Sequence, residues 1–142
     1  MAKIIKTIDK IRIHNMVDMG LRFSGMMRLY KKGSKQQMIS KIERMLPDIS
    51  NVDTTDGFEK LHSSFCQWVK VNISSSREIN DGKRISYGQA AKTFDVTLSV
   101  LVYYCGWPNE EKSMMLMKWL HAAIDNDMMR FLKRCYRSDL KD

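Results

Sequence analysis

The segment Ser86–Cys105 carries the start signal, the apolar stripe and the stop signal of an α-helix in the right order. Ser86 and Gln89 have the spacing of a capping box, in which two side chains satisfy free backbone N–H groups at a helix start. Five residues then recur on one face at helical spacing: Ala90, Phe94, Leu98, Leu101 and Cys105. Gly106 can supply a left-handed cap, and Pro108 prevents the helix from continuing. The segment predicts an all-α fold that is packed around this helix and around a second, Met-rich helix in the C-terminal third.

The beginning of the chain also reads as helix. Residues 3–31 are predicted to be helical in one or two pieces, with a break near 13–15 where the apolar register slips. Gly20 and Gly25 either lower the helical propensity here or permit another helix to approach closely. The first third of the chain is therefore expected to contribute helices to the fold.

Two further helices follow from local start and stop signals. A short helix is predicted over 35–46, with Ser34 as its N-cap and Pro47 as its end. Asp56 and Glu59 give a box-like start to the next helix, with Asp in the place of the usual Ser or Thr. Both helices carry an apolar stripe that predicts a buried face.

The C-terminal third contains a heptad-like apolar seam. Asn109 is predicted to cap its start, and two glutamates follow at the positive end of the helix dipole. The residues of the seam recur at spacings of three and four: Met114, Met117, His121, Ile124, Met128, Phe131 and Cys135. The seam lies either on one long helix or on two helices joined near residues 125–127.

Together these patterns predict one compact all-α domain of five or six helices over residues 1–142. A basic N-terminal third covers 1–50, and a helical core covers 56–137. The run Asn80-Asp81-Gly82 is a turn signal between two short segments, so one very short β-hairpin near 77–85 is the alternative to an entirely helical chain.

Positive charge is concentrated near the N-terminus. The formal net charge is +8, and residues 1–50 hold 11 Lys and Arg against 4 Asp and Glu. A concentrated positive field attracts polyanions, so DNA or RNA is the predicted partner. The residues predicted to bind nucleic acid are Arg22, Arg28, Tyr30, Lys31, Lys32, Lys35, Lys41 and Arg44. The alternative is a solvated basic face that binds nothing.

The residue types in this basic set predict separate roles. Lys and Arg neutralise phosphates, and Tyr30 is predicted to stack on an exposed base. Two helices joined by the turn at residues 31–34 have a superficial likeness to a helix-turn-helix pair. We therefore expect a small intracellular binding protein whose affinity for its anionic partner falls as salt rises.

Two other classes of function stay open. The Met-rich seam with Trp107 and Trp119 is typical of a homodimer interface, although the same residues can pack a monomer. In an enzyme, His121 and Asp125, four residues apart on a continuous helix, would act as an acid–base pair with Lys92 nearby. A structural hydrogen bond at a helix junction explains the same pair without catalysis.

Several chemistries are disfavoured by motifs that the sequence lacks. There is no phosphate-cradling GxxxxGK loop, no GxGxxG and no nucleophile elbow. His14 and His62 have no metal-site spacing, and Cys66, Cys105 and Cys135 form no C-x-x-C pair, so we predict neither a metal site nor a cofactor. The cysteines are predicted to be buried thiols of a cytoplasmic protein, and the charged start predicts no membrane span.

Two segments resemble a pattern in a bacterial protein family of unknown function. Tyr87–Lys92 reads YGQAAK where the family has a YGxAQK helix, and Leu120–Asp125 reads LHAAID where the family has an H-x-P-I-D motif. This chain has alanine in place of the family's Gln and Pro, whereas Lys92, His121 and Asp125 match. The resemblance implies that these three polar residues are linked in one fold, and it supplies no activity.

Overall fold

The residues described by the computed structural model, 2–76, 84–121 and 126–135, form six α-helices and no named strand. The helices are α1 (Ala2–Phe23), α2 (Ser34–Asn51), α3 (Thr55–Asn72), α4 (Tyr87–Ser99), α5 (Glu110–Met117) and α6 (Asn126–Cys135). The predicted all-α fold is confirmed, and the hairpin predicted near 77–85 lies largely outside the described residues. None of the described helices is long and apolar enough to cross a membrane.

Helix α4 begins as its sequence predicts, but regular α-helical winding ends at Ser99, before the predicted stop at Gly106. Ser86 Oγ accepts from Gln89 N–H at 3.1 Å, and Gln89 Oε1 accepts from Ser86 N–H at 3.0 Å, which completes the capping box. The stripe is buried at four positions: Ala90, Phe94, Leu98 and Leu101. Cys105 is only half-buried, and Gly106 adopts the left-handed conformation at φ +63°.

After Ser99 the helix widens over Val100–Tyr104. Cys105 N–H donates to Val100 O at 3.2 Å, five residues back instead of the four of an α-helix. Three consecutive residues from Val100 onward are therefore buried, while Tyr103 and Tyr104 face the solvent. The wide turn therefore keeps the chain after Ser99 in contact with the core, although its buried residues no longer follow the spacing of an α-helix.

Helices α1 to α4 pack as a closed ring. Helix α4 contacts α1 and α3, and α2 also contacts α1 and α3. All four helices supply the largest fully buried side chains, among them Leu21, Met38, Ile42, Ile49, Phe58, Phe65, Phe94 and Leu98. The N-terminal third thus contributes buried side chains to the hydrophobic core in addition to its positive charges. The core therefore also includes residues that precede the predicted range 56–137.

Helix α1 is continuous and ends earlier than predicted, at Phe23. Ser24 Oγ accepts from Met26 N–H at 3.2 Å, and Gly25 adopts a left-handed φ of +65°. This Ser–Gly turn ends the helix because it redirects the backbone out of the helical conformation. A short 3₁₀ turn over Met27–Leu29 follows before the chain enters α2.

The predicted end of the second helix at Pro47 is wrong. Helix α2 continues through Pro47 to Asn51. A proline inside a helix removes one backbone hydrogen bond, but the extra turn buries Ile49 completely. Burial of such a side chain contributes about 1.5–3 kcal/mol, which offsets the loss. At the other end the N-cap is Gly33 rather than Ser34, so no side chain caps the first N–H groups.

The predicted start of α3 is also corrected. Thr54 is the N-cap, and its Oγ1 accepts from Gly57 N–H at 3.0 Å. Thr54 therefore takes the capping role predicted for Asp56, and Glu59 does not close a box. The Glu59 carboxylate instead hydrogen-bonds to His121, which follows α5.

The C-terminal seam is divided between two helices. Helix α5 ends at Met117 and a separate helix α6 follows, so the alternative of two joined helices is the one adopted. Trp107 and Trp119 pack against the core, whereas Met114 and Phe131 are exposed. The seam therefore presents no continuous helical stripe, and the homodimer stays a prediction.

The three cysteines are free thiols with different environments. Cys66 is buried, Cys105 is half-buried and Cys135 is exposed on α6. The prediction of buried thiols is therefore correct for Cys66 alone.

Gly20 on α1 lies directly against Thr97 on α4, because a Cβ added at Gly20 would stand 2.9 Å from Thr97 Cα. Gly20→Ala should force the helices apart and lower the free energy of unfolding by about 1–3 kcal/mol. Gly88→Ala is the matched control, since nothing lies within 4 Å of its added Cβ. The control should keep or raise stability. Equal stabilities in chemical denaturation followed by circular dichroism would contradict this packing.

Candidate functional site

A buried polar pair joins α3 to α4. His62 Nε2 donates to Asp95 Oδ1 at 3.0 Å, and only 2% and 5% of the two side chains are exposed. His62 lies one helical turn from Phe58 on α3, and Asp95 follows Phe94 on α4, so helix packing carries both polar groups into the core. Groups of this kind are tolerated inside a protein when each satisfies the other.

The surroundings of His62 favour the protonated form of its imidazole. Burial by itself would lower its pKa, but hydrogen bonds to Asp95 and Cys66, with the charge of Asp95, outweigh burial and raise the pKa from 6.5 to about 10. The Cys66 contact is a long one, with Sγ at 3.9 Å from His62 Nδ1. Asp95 therefore stabilises the protonated form of the His62 imidazole.

His121 stacks over the His62 ring from the segment after α5. The two ring centroids are 4.4 Å apart, and His121 Nε2 donates to Glu59 Oε1 at 2.7 Å. The side chains of His121 and Glu59 are 38% and 45% exposed. We call Glu59, His62, Asp95 and His121 the His–carboxylate cluster. It extends from a buried ion pair to the solvent.

Aromatic rings enclose the cluster on its inner side. The Phe94 ring meets the edge of His62 at 5.4 Å, and the Phe58 ring meets His121 at 6.4 Å. Tyr87, exposed at the start of α4, lies 6.3 Å from His62, and its hydroxyl is 3.3 Å from Ser63 Oγ. Apolar walls strengthen electrostatic interactions within the cluster because they exclude water.

Three members of the cluster offer metal ligands. One donor atom from each of Glu59, His62 and His121 lies within 4.8 Å of the others. Imidazole nitrogen and carboxylate oxygen are ordinary zinc ligands. The sequence predicted no metal site because these residues come from distant segments, so the cluster is a feature that linear spacing missed.

The predicted acid–base pair is not arranged as expected. His121 lies beyond the end of α5 and not on a continuous helix, and its carboxylate partner is Glu59. Asp125 lies outside the described residues. Lys92 is half-buried on α4, and its role with His121 stays a prediction. In the sequence, the signal for the His–carboxylate cluster was the three-residue spacing of Glu59 and His62, which places both on one face of α3.

Two cations of the predicted nucleic-acid set converge on one acid. Arg22 Nε on α1 donates to Asp18 Oδ2 at 2.9 Å, and Lys35 Nζ on α2 also contacts Asp18. The hydrogen bond from Lys35, aided by both positive charges, lowers the pKa of Asp18. All three line one surface depression between α1 and α2 and together carry a net positive charge.

Three more cations lie exposed on the connection between α1 and α2: Arg28, Lys31 and Lys32. No carboxylate within the described part of the chain pairs with them. Lys31 N–H donates to Ser74 O at 2.8 Å, which ties this connection to the end of α3. We call Arg22, Arg28, Lys31, Lys32 and Lys35 the basic α1–α2 surface.

The stacking role predicted for Tyr30 is wrong. Its side chain is only 3% exposed, and its hydroxyl hydrogen-bonds to Thr93 on α4. Burial raises the pKa of Tyr30 to about 12. The helix-turn-helix likeness also fails, since the connection over Ser24–Gly33 is longer than the short turn of that motif.

Lys41 and Arg44 lie by an aromatic residue that the sequence did not single out. Lys41 Nζ stands 5.5 Å from the centroid of the half-buried Trp68 ring on α3. A groove between α2 and α3, which we call the Trp68 groove, is lined by Gln36, Gln37, Ser40, Arg44, Trp68 and Asn72. Gln36 also lines the depression of the basic α1–α2 surface, so the two features adjoin.

Asp95→Asn should flatten the pH dependence of stability. Because the pKa of His62 is raised to about 10 in the folded protein, the pair contributes fully below about pH 6.5 and less as pH rises toward 10. Wild type should therefore lose more stability than D95N between about pH 6 and pH 9.5 in chemical denaturation. At the lower pH, D95N should be about 3–5 kcal/mol less stable.

Asp56→Asn is the matched control for this measurement, because Asp56 pairs with Lys60 on the surface at 3.0 Å. That variant should keep the wild-type pH profile, since exposed ion pairs contribute little. An identical loss of stability in wild type and D95N would refute a charged His62–Asp95 pair.

The segments that carry the family resemblance meet at His62, which contacts Tyr87 from the first and His121 from the second. The resemblance implies a link among Lys92, His121 and Asp125, and Asp125 lies outside the described residues, so that link stays a prediction. The resemblance itself stays a prediction. No family model, curated protein or solved structure matches this chain.

Proposed function

We propose that this protein binds single-stranded nucleic acid in the cytoplasm through the basic α1–α2 surface and the Trp68 groove. The observation that carries the proposal is the set of three exposed cations, Arg28, Lys31 and Lys32, without a carboxylate partner in the described ranges. Hydrogen bonds tie the backbone of this connection to the segment at the end of α3. Binding therefore costs less conformational entropy than binding to a loose loop would. The free cysteines fit a reducing compartment.

The start of α2 adds to the positive field. Its N-cap, Gly33, provides no side-chain acceptor, and Ser34 N–H donates to Lys31 O at 3.0 Å, so the N–H groups that follow Ser34 in the first turn are the ones that face an anion at this helix start. Lys31 and Lys32 precede this helix start, and Lys35 follows it. A phosphate here would meet backbone donors and ammonium groups together, which is the usual composition of a phosphate-binding site.

The Trp68 groove supports a single strand over a duplex. It combines a half-buried indole with the cations Lys41 and Arg44 and with amide side chains. Unpaired bases stack on aromatic rings, whereas the bases of a duplex are stacked on one another and do not reach such a ring. Because Gln36 lines both features, a strand along α2 can place phosphates on the basic surface and a base at Trp68.

The triple variant R28A/K31A/K32A tests the phosphate contacts. Loss of three cations should weaken binding of a fluorescent single-stranded oligonucleotide in anisotropy titrations. The slope of log affinity against log salt should become shallower by about 2, because each phosphate contact contributes about 0.7 for a single strand.

Lys60, Lys70 and Lys118 provide a matched control, since all three are exposed and their replacement by Ala removes the same net charge. This control should retain most of the affinity and the salt slope. Equal effects of the two triple variants would show that overall charge, and not the basic α1–α2 surface, governs binding. Absence of binding by wild type at low salt would reject the proposal.

Trp68→Leu tests the base contact separately. Removing the indole should lower single-strand affinity by about tenfold or more, because stacking contributes about 1–3 kcal/mol per base. The salt slope and the weaker duplex affinity should stay as in wild type, since the phosphate contacts remain. A circular dichroism melt checks that the variant is folded, and an equal loss for single strand and duplex would contradict a stacking role.

A further inference from the structure

The His–carboxylate cluster has no part in the proposed nucleic-acid site, and its donor atoms call for their own explanation. His62 and Glu59 lie on the face of α3 that meets α4 and His121, whereas Trp68 faces α2. Within the described residues, one donor atom from each of Glu59, His62 and His121 lies within 4.8 Å of the other two. Two imidazoles and one carboxylate therefore come together at one point of the structure.

We propose that Glu59, His62 and His121 bind a divalent transition-metal ion of the zinc class. Two imidazoles and one carboxylate match the ligand preference of Zn²⁺, Co²⁺ or Ni²⁺, whereas Mg²⁺ and Ca²⁺ prefer sites made of oxygen alone. Three protein ligands leave a fourth position of a tetrahedral ion for water, which is the composition of an open site.

The cluster also supplies the outer partner that metal-binding histidines usually have. His62 hydrogen-bonds to the buried Asp95 carboxylate at 3.0 Å, and carboxylates in this position orient the ring and raise its basicity. A bound ion would place its positive charge close to the Asp95 carboxylate through the His62 ring. The buried carboxylate thus stays compensated in both states.

The required movement is small and falls on exposed groups. Donor atoms around a tetrahedral zinc are about 3.4 Å apart, given bonds of about 2.1 Å. Glu59 and His121 have partly exposed side chains, and their mutual hydrogen bond of 2.7 Å must be exchanged for bonds to the ion. Contraction from 4.8 Å therefore needs side-chain rotation and leaves the helices in place.

The test is a titration of the full chain with Zn²⁺ by calorimetry, and with Co²⁺ by visible absorption, in a Cys135→Ser background. This background removes the exposed thiol as a competing ligand. We expect one ion per chain with micromolar or tighter affinity, and no heat with Mg²⁺. His121→Gln and Glu59→Gln should each weaken zinc binding at least about tenfold, and Asp95→Asn by about 10–100-fold.

His14→Gln is the matched control, because His14 Nδ1 lies 3.0 Å from Glu43 in a similar His–Glu pair that has no second histidine. It should bind zinc like the parent. Undiminished zinc binding in His121→Gln, or no binding by the parent, would overturn the proposal. The variant R28A/K31A/K32A should keep full zinc affinity, so failure of the nucleic-acid proposal is distinguishable from failure of this one.

Discussion

The buried ion pair between His62 and Asp95 constrains how α3 and α4 can sit against each other. Sliding or rotating either helix would separate two charges inside the core, and an uncompensated buried charge is among the most costly defects a protein can carry. The pair therefore specifies register in a way that the neighbouring phenylalanines cannot, because apolar contacts tolerate small shifts. His121 and Glu59 are held at the rim of this fixed contact.

Helix α3 serves both candidate sites with different faces. His62 points toward α4, while Trp68 lies in the groove with α2, so a single rigid element separates the two surfaces. The closed ring of α1 to α4 makes this possible, since each helix has two helical neighbours and keeps one outer face. Positive charge collects where α1 passes into α2, because the cations there outnumber the acids: Arg22 and Lys35 share one carboxylate, that of Asp18.

The start of α4 depends on neighbouring residues alone and was predictable from the sequence, whereas the features that depend on packing were not. The Ser86 and Gln89 capping box is a local arrangement, so its spacing alone predicted the start of α4. Pro47 misled the prediction because tertiary burial in the following turn outweighed a local rule. His62 and Asp95 are far apart in the chain and meet only once α3 and α4 pack, which no linear spacing reveals.

The widened turn over Val100–Tyr104 has a consequence for insertions and deletions. Such a turn contains one residue more than an α-helical turn, and each residue advances a helix by about 100°. Because the wide turn takes up that residue locally, the chain on either side of it keeps its packing: Leu98 before the turn and Trp107 after it both lie against the core. A deletion within the turn can therefore be absorbed by regular winding, whereas a deletion earlier in α4 would rotate the residues after it by about 100° away from their buried face.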